Sequence, residues 1–356
     1  MKRFAVILSA IAALFTLSCG SDYVKPGDSI QAVTFSFFEP DAVEVFLAGE
    51  MNNWNPKALP MDCADGSNWT ATVYLKDGIW QYKFVADGTW IADPNNPNTI
   101  DDGYGGLNSL AVIGKVTDGF LFITNIPHGT VKKLGFASGA LGAAASFNIY
   151  LPPDYSTTTN TYPVLFLLHG YGQNEDQWTK QGHIENYMDF LLSGGKIEPF
   201  IIVMPAGGKS FYTNKVEKYI TDELYNYIKK NYRIKPGKEN TAITGMSMGG
   251  FGAFYLAQRN PGLFGLSIPL SGYFDEKLYL EVIRDKPLPV DFQLEIYCGT
   301  EDRLCFKPNE DLKAILVKNQ VKFGYYAAPG DHSWHYWRGI IKEVLGKVSD
   351  FFNPGD

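Results

Sequence analysis

The stretch that decides the fold of this chain reads Thr241-Ala242-Ile243-Thr244-Gly245-Met246-Ser247-Met248-Gly249-Gly250. A G-x-S-x-G pattern follows a short apolar run here and precedes a predicted helix, which is the context of a nucleophile elbow. Gly245 and Gly249 lack a Cβ, so the chain can turn sharply and expose the hydroxyl of Ser247 above the edge of a sheet. A Ser/Gly-rich turn without chemistry is the alternative on this pattern alone.

A carboxylate is expected downstream of such a serine, where it orients the catalytic base. The apolar segment 292–298 predicts a buried strand that runs into Gly299-Thr300-Glu301-Asp302. Asp302 lies just beyond the carboxyl end of that strand and is the predicted acid. Glu301 is the alternative.

The base is expected after the acid, and two histidines compete for that role. The strand-like segment 322–327 leads into a Pro-Gly loop that carries His332, whereas His335 falls in the predicted final helix. We favour His332, because a loop at the end of a strand can bring an imidazole to the serine. Ser247, Asp302 and His332 then follow one another in the chain order that this motif requires.

A second loop is predicted to stabilise the charge that develops on the substrate oxygen. The apolar strand 164–168 ends in His169-Gly170-Tyr171-Gly172. In sheets of this kind that loop donates one backbone N–H to the oxyanion, and the residue after the nucleophile donates another. The predicted donors are therefore the amides of Tyr171 and Met248, and His169 is expected to be structural.

The two halves of the chain differ in their hydrophobic patterns. Residues 29–114 contain short alternating runs between Asn, Asp, Gly and Pro clusters, which predict an immunoglobulin-like all-β sandwich. Within it, Asp87-Gly88 predicts a hairpin turn, and the composition of 93–106 predicts irregular structure. In residues 117–353 strands alternate with helices, which predicts a doubly wound, mostly parallel α/β sheet. The seam is expected at 115–125.

Composition excludes several classes of partner and cofactor. The 356 residues carry 31 Lys and Arg against 38 Asp and Glu, a net charge of −7 without a basic cluster. Such a chain is not expected to bind nucleic acid. No Cys/His spacing indicates a metal site, and no cofactor is expected. Aromatic residues make up 15% of the chain, and their flat rings suit both cores and sugar faces.

The N-terminus is predicted to direct export. Residues 1–18 place Lys2-Arg3 before a short apolar stretch, which is typical of a signal peptide. The following Ser18-Cys19-Gly20 resembles a bacterial lipoprotein cleavage site. Cys19 would then be the lipidated first residue of a membrane-tethered protein in the periplasm, on the outer membrane or at the cell surface. Ordinary cleavage near Gly20 is the alternative.

Two cysteines flank the predicted acid in the sequence. In an exported protein, Cys298 and Cys305 could form a disulfide across the loop that carries Asp302. Two free thiols are the equal alternative.

Residues 117–353 resemble carbohydrate esterase family 1, a branch of the esterase-D-like α/β-hydrolases that includes feruloyl and acetylxylan esterases. The resemblance rests on Asn148-Ile149-Tyr150-Leu151-Pro152-Pro153, the His169-Gly170 loop, the 245–250 motif, and His332 followed by Trp337. It implies the α/β-hydrolase fold, with Ser247, Asp302 and His332 as the triad and Tyr171 and Met248 as oxyanion donors. The loop after His169 has fewer glycines than in many feruloyl esterases, which leaves the acyl specificity open.

Residues 29–114 resemble a family-48 carbohydrate-binding module. The matching segments are 47–54, Tyr82-Lys83-Phe84, Asp87-Gly88-Thr89-Trp90, Asp93-Pro94 and Leu107-Asn108-Ser109. The resemblance implies that Trp54 and Trp90 stack on sugar rings while Lys83 and Asn108 bind hydroxyls, with xylan the expected ligand beside this type of esterase. A spacer whose tryptophans pack in the core is the alternative.

Together these features favour a secreted serine esterase that removes feruloyl groups from xylan or arabinoxylan of plant cell walls through an acyl-enzyme. Trp178, Tyr171 and Phe211 are candidates for contacts with an aromatic acyl group, or they belong to the core. An acetylxylan esterase or other small-acyl esterase is the alternative. A sugar-binding surface lipoprotein without catalytic activity is the third hypothesis.

Overall fold

The computed structural model describes residues 30–102, 106–114, 126–275 and 291–354. The predicted export signal, Cys19 and the predicted seam at 115–125 lie outside these residues. The described chain forms an all-β sandwich followed by an α/β domain, which confirms the predicted fold class. Among the described helices, none combines the length and apolar character needed to cross a membrane.

The first sheet of the sandwich contains three strands in the order β1-β4-β3. They are β1 (Ile30–Phe38), β3 (Asp62–Cys63) and β4 (Asn68–Lys76). Strand β1 alternates between exposed and buried side chains, with Phe35 and Phe37 pointing into the core. This period of two is what a sheet with one solvated face requires.

The second sheet of the sandwich has the order β2-β5-β8-β7, and β6 pairs with β5. These strands are β2 (Val45–Gly49), β5 (Gly78–Ala86), β6 (Thr89–Ile91), β7 (Thr99–Asp101) and β8 (Leu107–Ile113). The sandwich core lies between the two sheets and includes Leu47, Tyr82 and Phe84.

Two local predictions in the sandwich have different outcomes. Asp87 and Gly88 both adopt positive φ, at 47° and 81°, and form the hairpin turn between β5 and β6 that the sequence predicts. The prediction of irregular structure throughout 93–106 is wrong for Thr99–Asp101. This short strand adds to the sheet because its backbone pairs with β8.

The α/β domain is built on an eight-stranded sheet in the order β16-β15-β14-β13-β11-β12-β10-β9. The antiparallel edge consists of β9 (Thr130–Ser138) and β10 (Ala143–Leu151). The parallel strands are β11 (Val164–Leu168), β12 (Ile201–Pro205), β13 (Thr241–Met246), β14 (Leu266–Leu270), β15 (Gln293–Gly299) and β16 (Gly324–Ala328).

Helices cover both faces of this sheet. They are α1 (Gln177–Lys180), α2 (Ile184–Ser193), α3 (Lys215–Lys218), α4 (Tyr225–Asn231), α5 (Met248–Arg259), α6 (Phe306–Lys318) and α7 (Trp334–Phe352), with a π-helical turn at Tyr219–Leu224 between α3 and α4. Strands β11, β12 and β13 are buried at every position, as expected for parallel strands with helices on both sides. In open sheets of this type ligands bind beyond the carboxyl ends of the strands, where Ser247 lies.

Candidate active site

The serine lies on a strained turn between β13 and α5. Ser247 has φ 56° and ψ −118°, which is unfavourable for a residue with a side chain. Two glycines allow the neighbouring backbone to approach closely enough to hold this turn. A Cβ on Gly245 would lie 2.7 Å from the carbonyl oxygen of Leu168, and one on Gly249 would lie 2.5 Å from the same atom. The G-x-S-x-G spacing therefore makes the turn sterically possible.

Three side chains meet at this turn in a hydrogen-bonded relay. The Oγ of Ser247 lies 2.9 Å from Nε2 of His332, and Nδ1 of His332 lies 2.7 Å from Oδ2 of Asp302. With Nδ1–H donating to the carboxylate, Nε2 is left as an acceptor for the serine proton. The structure brings together the three residues that the sequence singles out, although they come from three separate loops.

Hydrogen-bond donors on both carboxylate oxygens hold Asp302 in its charged form. Its second oxygen, Oδ1, accepts the backbone N–H groups of Leu304 at 3.0 Å and Cys305 at 2.8 Å. Burial alone would raise the pKa of Asp302, but the hydrogen bond and electrostatic interaction with His332, together with the Cys305 amide, lower the pKa below its ordinary value. A buried, ionised carboxylate is what an orienting acid requires.

The two alternatives weighed for the acid and the base lie elsewhere. Glu301 is exposed, while Asp302 is buried against His332. His335 lies in α7, where its ring stacks on Trp80 of the sandwich with ring centroids 4.1 Å apart. Of the two candidate acids and the two candidate bases, only Asp302 and His332 take part in the relay with Ser247.

The predicted oxyanion donors belong to two residues that line a cavity together with the serine. Met248 is the first residue of α5, so its N–H has no acceptor within the helix and the positive end of the helix dipole points toward Ser247. Tyr171 follows Gly170, whose N–H donates to Oε1 of Gln173 at 2.9 Å and fixes the loop. Both residues line one cavity together with Ser247.

His169 is structural, as expected from its position. Its Nδ1 donates to the carbonyl of Gly170 at 2.7 Å, and its Nε2 accepts the N–H of Gly207 at 2.8 Å. Burial lowers the pKa of His169, which keeps the ring neutral and suits these two opposite hydrogen-bonding roles.

An apolar cavity of about 370 Å³ opens beside the serine. We call it the apolar cavity; its lining residues are Tyr171, Phe211, Ser247, Met248, Tyr273 and Leu304. Tyr171 and Phe211 were predicted candidates for aromatic contacts, whereas Tyr273 and Leu304 carry no motif that points to them. The third candidate, Trp178, is buried in the core, where its Nε1 donates to the carbonyl of Leu168, so the core alternative holds for this residue.

A second cavity, of about 380 Å³, has walls from both domains. Glu50, Asn53 and Trp54 of the sandwich face Ser247, His332 and Trp334 of the α/β domain across this space, which we call the interdomain cavity. The sandwich thus contributes directly to the surroundings of the serine.

The four predicted sugar-binding residues line a third cavity of about 610 Å³. The rings of Trp54 and Trp90 lie 6.3 Å apart at 42°, and Trp90 is 43% exposed. Lys83 forms an ion pair with Asp102 at 2.5 Å, and Asn108 is buried and donates to Oε1 of Gln81 at 2.8 Å. The tryptophans therefore offer open ring surface, while both polar groups already have protein partners.

The α/β domain completes this third cavity with residues that the sequence analysis missed. They are Gln173, Gln177, Gln181 and Trp334. Gln177 and Gln181 are four positions apart, one helical turn, but nothing in a single sequence shows that this helix faces the sandwich. Trp54 borders both this cavity and the interdomain cavity, so the two are continuous at that residue.

A buried ion pair fixes the sandwich on helix α7. Nη2 of Arg338 lies 2.6 and 2.7 Å from the two carboxylate oxygens of Glu50, and its Nη1 donates to the carbonyl of Gln181 at 3.0 Å. Oε2 of Glu50 also accepts the N–H of Gln81 at 2.9 Å. Both charges therefore have partners, as buried charges must.

The cysteines that flank the acid are free thiols, so the structure contains the second of the two sequence alternatives. Cys298 is buried at the end of β15, and Cys305 is buried immediately before α6. Burial raises the pKa of the Cys298 thiol to about 12 and also raises the pKa of Cys305. The acid loop needs no covalent bridge, because Asp302 itself accepts two backbone amides of the loop.

One group of potential metal ligands occurs among the described residues, formed by Asp302, Cys305 and His332. The thiol is held neutral by burial, and the carboxylate and imidazole are already bonded to each other. These residues therefore fit a proton relay better than a metal centre.

Comparison with known proteins identifies both domains. Residues 138–288 match the family model described as putative esterase, and residues 32–118 match the model described as the glycogen recognition site of AMP-activated protein kinase. The second domain therefore carries an esterase-family match, and the first carries a match to a carbohydrate-binding module of the glycogen-recognition type.

A curated relative spans both the module and the esterase domain. The endo-1,4-beta-xylanase/feruloyl esterase of Xylanibacter ruminicola is 32% identical over 328 residues, which is 86% of this chain and 43% of the relative. The chain spans less than half the length of the first curated relatives that it matches.

Solved structures share the fold of the esterase domain. A ferulic acid esterase has a TM-score of 0.59 at 23% identity and covers 64% of this chain and all of its own. The enterobactin esterase of Shigella flexneri has a TM-score of 0.72 at 18% identity and covers 91% of this chain and 96% of its own. The second match therefore extends over the module as well as the esterase domain.

Proposed function

We propose that this chain hydrolyses acyl esters of a plant cell-wall polysaccharide of the xylan type, with the esterase domain as catalyst and the module as part of the substrate-binding surface. The observation that carries the proposal is the Ser247–His332–Asp302 relay opening into a cavity with walls from both domains. The name of the Xylanibacter ruminicola relative supports this substrate class.

The geometry supports a two-step acyl transfer. Ser247 attacks the ester carbonyl while Nε2 of His332 takes its proton, and Asp302 stabilises the imidazolium that forms. The amides of Met248 and Tyr171 stabilise the oxyanion, and loss of one such donor typically raises the barrier by about 3 kcal/mol. His332 then protonates the departing sugar oxygen, and water cleaves the acyl-enzyme by the reverse sequence.

The acyl group that we propose is a hydroxycinnamoyl group such as feruloyl. The apolar cavity has aromatic walls from Tyr171, Phe211 and Tyr273 and a volume of about 370 Å³. A flat aromatic acyl group gains contact area from such walls, whereas an acetyl group leaves most of the space unfilled. Acetyl release is the competing activity.

The sugar side of the ester would lie toward the module. Trp54 borders the serine-containing cavity on one side and the cavity with Trp90 on the other. Tryptophan rings offer apolar contact to the C–H faces of sugar rings, and the glutamine side chains of the third cavity supply groups for hydroxyls.

The test is release of acids from a panel of feruloylated and acetylated xylans, identified by chromatography. The parent is expected to release mainly ferulate, Ser247→Ala none, and Ser156→Ala, an exposed loop serine, as much as the parent. Activity of Ser247→Ala near the parent level would refute the catalytic assignment. Preferential release of acetate would refute the assignment of the acyl group.

The module's role has its own test. Trp54→Ala is expected to lower kcat/KM on feruloylated oligosaccharides, because Trp54 borders the catalytic cavity. Trp90→Ala, farther along the surface, is expected mainly to weaken retention on insoluble xylan. Equal retention of the parent and both variants would make the module a spacer.

We also propose that the protein is exported and tethered to a membrane through a lipid on Cys19. The motif Ser18-Cys19-Gly20 after the apolar stretch supports this. Metabolic labelling with radioactive palmitate should mark the parent but not Cys19→Ser. Equal labelling of both would exclude Cys19 as the anchor.

A further inference from the structure

A large groove borders the catalytic histidine on a surface that the proposed mechanism does not use. It has a volume of about 1010 Å³ and is lined by both domains. Asn53, Leu304 and His332 line both this groove and the interdomain cavity, so the two openings adjoin beside the relay. We call it the charged groove, because cationic side chains from both domains converge in it.

Three separate elements supply the cations. Lys76 is the last residue of β4 in the module, Arg303 follows the catalytic acid, and Lys307 lies in the first turn of α6. Lys307 forms an ion pair with Asp311 on its own helix. Within the described part of the chain, Lys76 and Arg303 form no salt bridge, and both line the groove.

The groove also contains three carboxylates, and two of them are engaged by neighbouring groups. Asp302 is engaged by His332 and two backbone amides, and Asp331 accepts the hydroxyl of Ser333. Glu301 is exposed. With Asp302 and Lys307 set aside because each is already paired, the lining has two cationic side chains, Lys76 and Arg303, and two anionic ones, Glu301 and Asp331. The groove therefore carries both signs and, among the described residues, its cations without a salt bridge come one from each domain.

We propose that the charged groove binds the carboxylate of an acidic sugar, a uronic acid, carried by the same polysaccharide close to the esterified residue. This inference rests on the proposed function, because it assigns a further substituent of that substrate. The planar guanidinium of Arg303 matches a carboxylate with two parallel hydrogen bonds, and Lys76 adds a charge from the facing domain.

The two openings beside the relay present different chemical groups to a substrate. The cavity with Trp54 and Trp90 presents aromatic rings to neutral sugar faces, whereas the charged groove presents Lys76 and Arg303. A glycan that crosses the relay from one opening to the other would place neutral rings and an acidic branch on opposite sides of the ester. The enzyme would therefore favour esters in acidic regions of the polysaccharide.

The direct test compares one feruloylated, uronic acid-containing xylan before and after chemical reduction of its carboxyl groups to alcohols. The parent is expected to have a kcat/KM several-fold higher on the native polymer, with up to about fivefold from each solvent-exposed ion pair. The advantage should shrink as salt screens exposed charges. Equal kcat/KM on the two polymers at low salt would overturn the inference.

Charge-removing variants locate the effect. Arg303→Gln and Lys76→Gln are each expected to lower the native-to-reduced ratio toward one, whereas Lys230→Gln, an exposed lysine of α4, should keep the parent ratio. Each rate is divided by the same variant's turnover of methyl ferulate. Because Lys76 belongs to the module, its variant stays informative if Arg303→Gln disturbs the acid loop. Parent ratios in both variants would overturn the inference.

The two proposals can fail separately. Absence of release from every ester, including methyl ferulate, would count against the proposed function. Equal release from native and reduced polymer by an active enzyme would count against the charged groove alone.

Discussion

The buried ion pair between Glu50 and Arg338 makes a quantitative prediction about stability. The side chain of Arg338 is 7% exposed and that of Glu50 is 4% exposed, so solvent screens their interaction little. Replacing Glu50 by Gln leaves the buried guanidinium with neutral acceptors, the introduced amide oxygen and the carbonyl of Gln181, and without a compensating negative charge. We expect Glu50→Gln to lose about 3 to 5 kcal/mol of stability, the range for breaking one side of a buried pair.

A loss of this size is easily measured. For a domain of 150 to 250 residues, each kcal/mol shifts Tm by about 2 to 4 °C, so a loss of 3 kcal/mol predicts a shift of about 6 to 12 °C. Scanning calorimetry of the full chain is the assay, because it also shows whether module and esterase domain unfold in one transition or two.

Two further variants distinguish the destabilisation caused by an unpaired buried charge from the net contribution of the intact ion pair to the free energy of unfolding. The double variant Glu50→Gln, Arg338→Met removes both charges, and we expect it to recover most of the lost stability, since a buried pair contributes little compared with apolar packing. Asp311→Asn removes an exposed pair on α6 and should change stability by no more than about 0.5 kcal/mol. A Glu50→Gln shift as small as that of Asp311→Asn would refute the reasoning.

Asp302→Asn should lower kcat on methyl ferulate about 10³- to 10⁴-fold, because the amide cannot stabilise the imidazolium. Glu301→Gln is the control and should keep a kcat near that of the parent. Comparable kcat values for the two variants would contradict the assignment of the acid. His183 is buried and burial lowers its pKa to about 3, so as pH falls from 6.5 the unfolded state takes up this proton first and stability falls by about 1.4 kcal/mol per pH unit. In urea denaturation between pH 4 and 7, the free energy of unfolding of His183→Asn should depend less steeply on pH than that of the parent. Asparagine is chosen because it suits the left-handed backbone at this position. An equal pH dependence in the variant and the parent would exclude His183 as the source. Cys298 and Cys305 are buried free thiols, so they should react with iodoacetamide once the protein is unfolded, even when no reductant is present. If they react in denaturant only after a reductant is added, they form a disulfide.

The relay could be predicted because its signals are local. The glycines around Ser247 encode a turn that few other sequences tolerate, and Asp302 and His332 each follow an apolar strand in the expected order. Parallel strands end at one edge of the sheet, so correct strand assignment was enough to bring the three loops together. The same reasoning gave the hairpin at Asp87-Gly88, where two residues determine the turn.

The contact between the domains could not be predicted from the sequence. Glu50 and Arg338 are 288 positions apart, and each alone reads as an ordinary surface charge. The roles of Tyr273 and Leu304 in the apolar cavity depend on how two loops fold over the sheet, which no periodic pattern records. The sequence could not decide whether Trp178 contacts substrate or belongs to the core, because an aromatic residue after a catalytic loop looks the same in sequence in both cases.

Helix α7 carries a consequence for how this protein can be engineered. One end follows the catalytic histidine, and its Arg338 and His335 hold the module through Glu50 and Trp80. Fusing a different sugar-binding domain to this catalytic domain would therefore leave Arg338 without its carboxylate partner and the ring of His335 without its stacking partner, both next to the active site. A workable chimera would have to carry over the residues equivalent to Glu50, Trp54 and Trp80, or recode the helix surface that receives them.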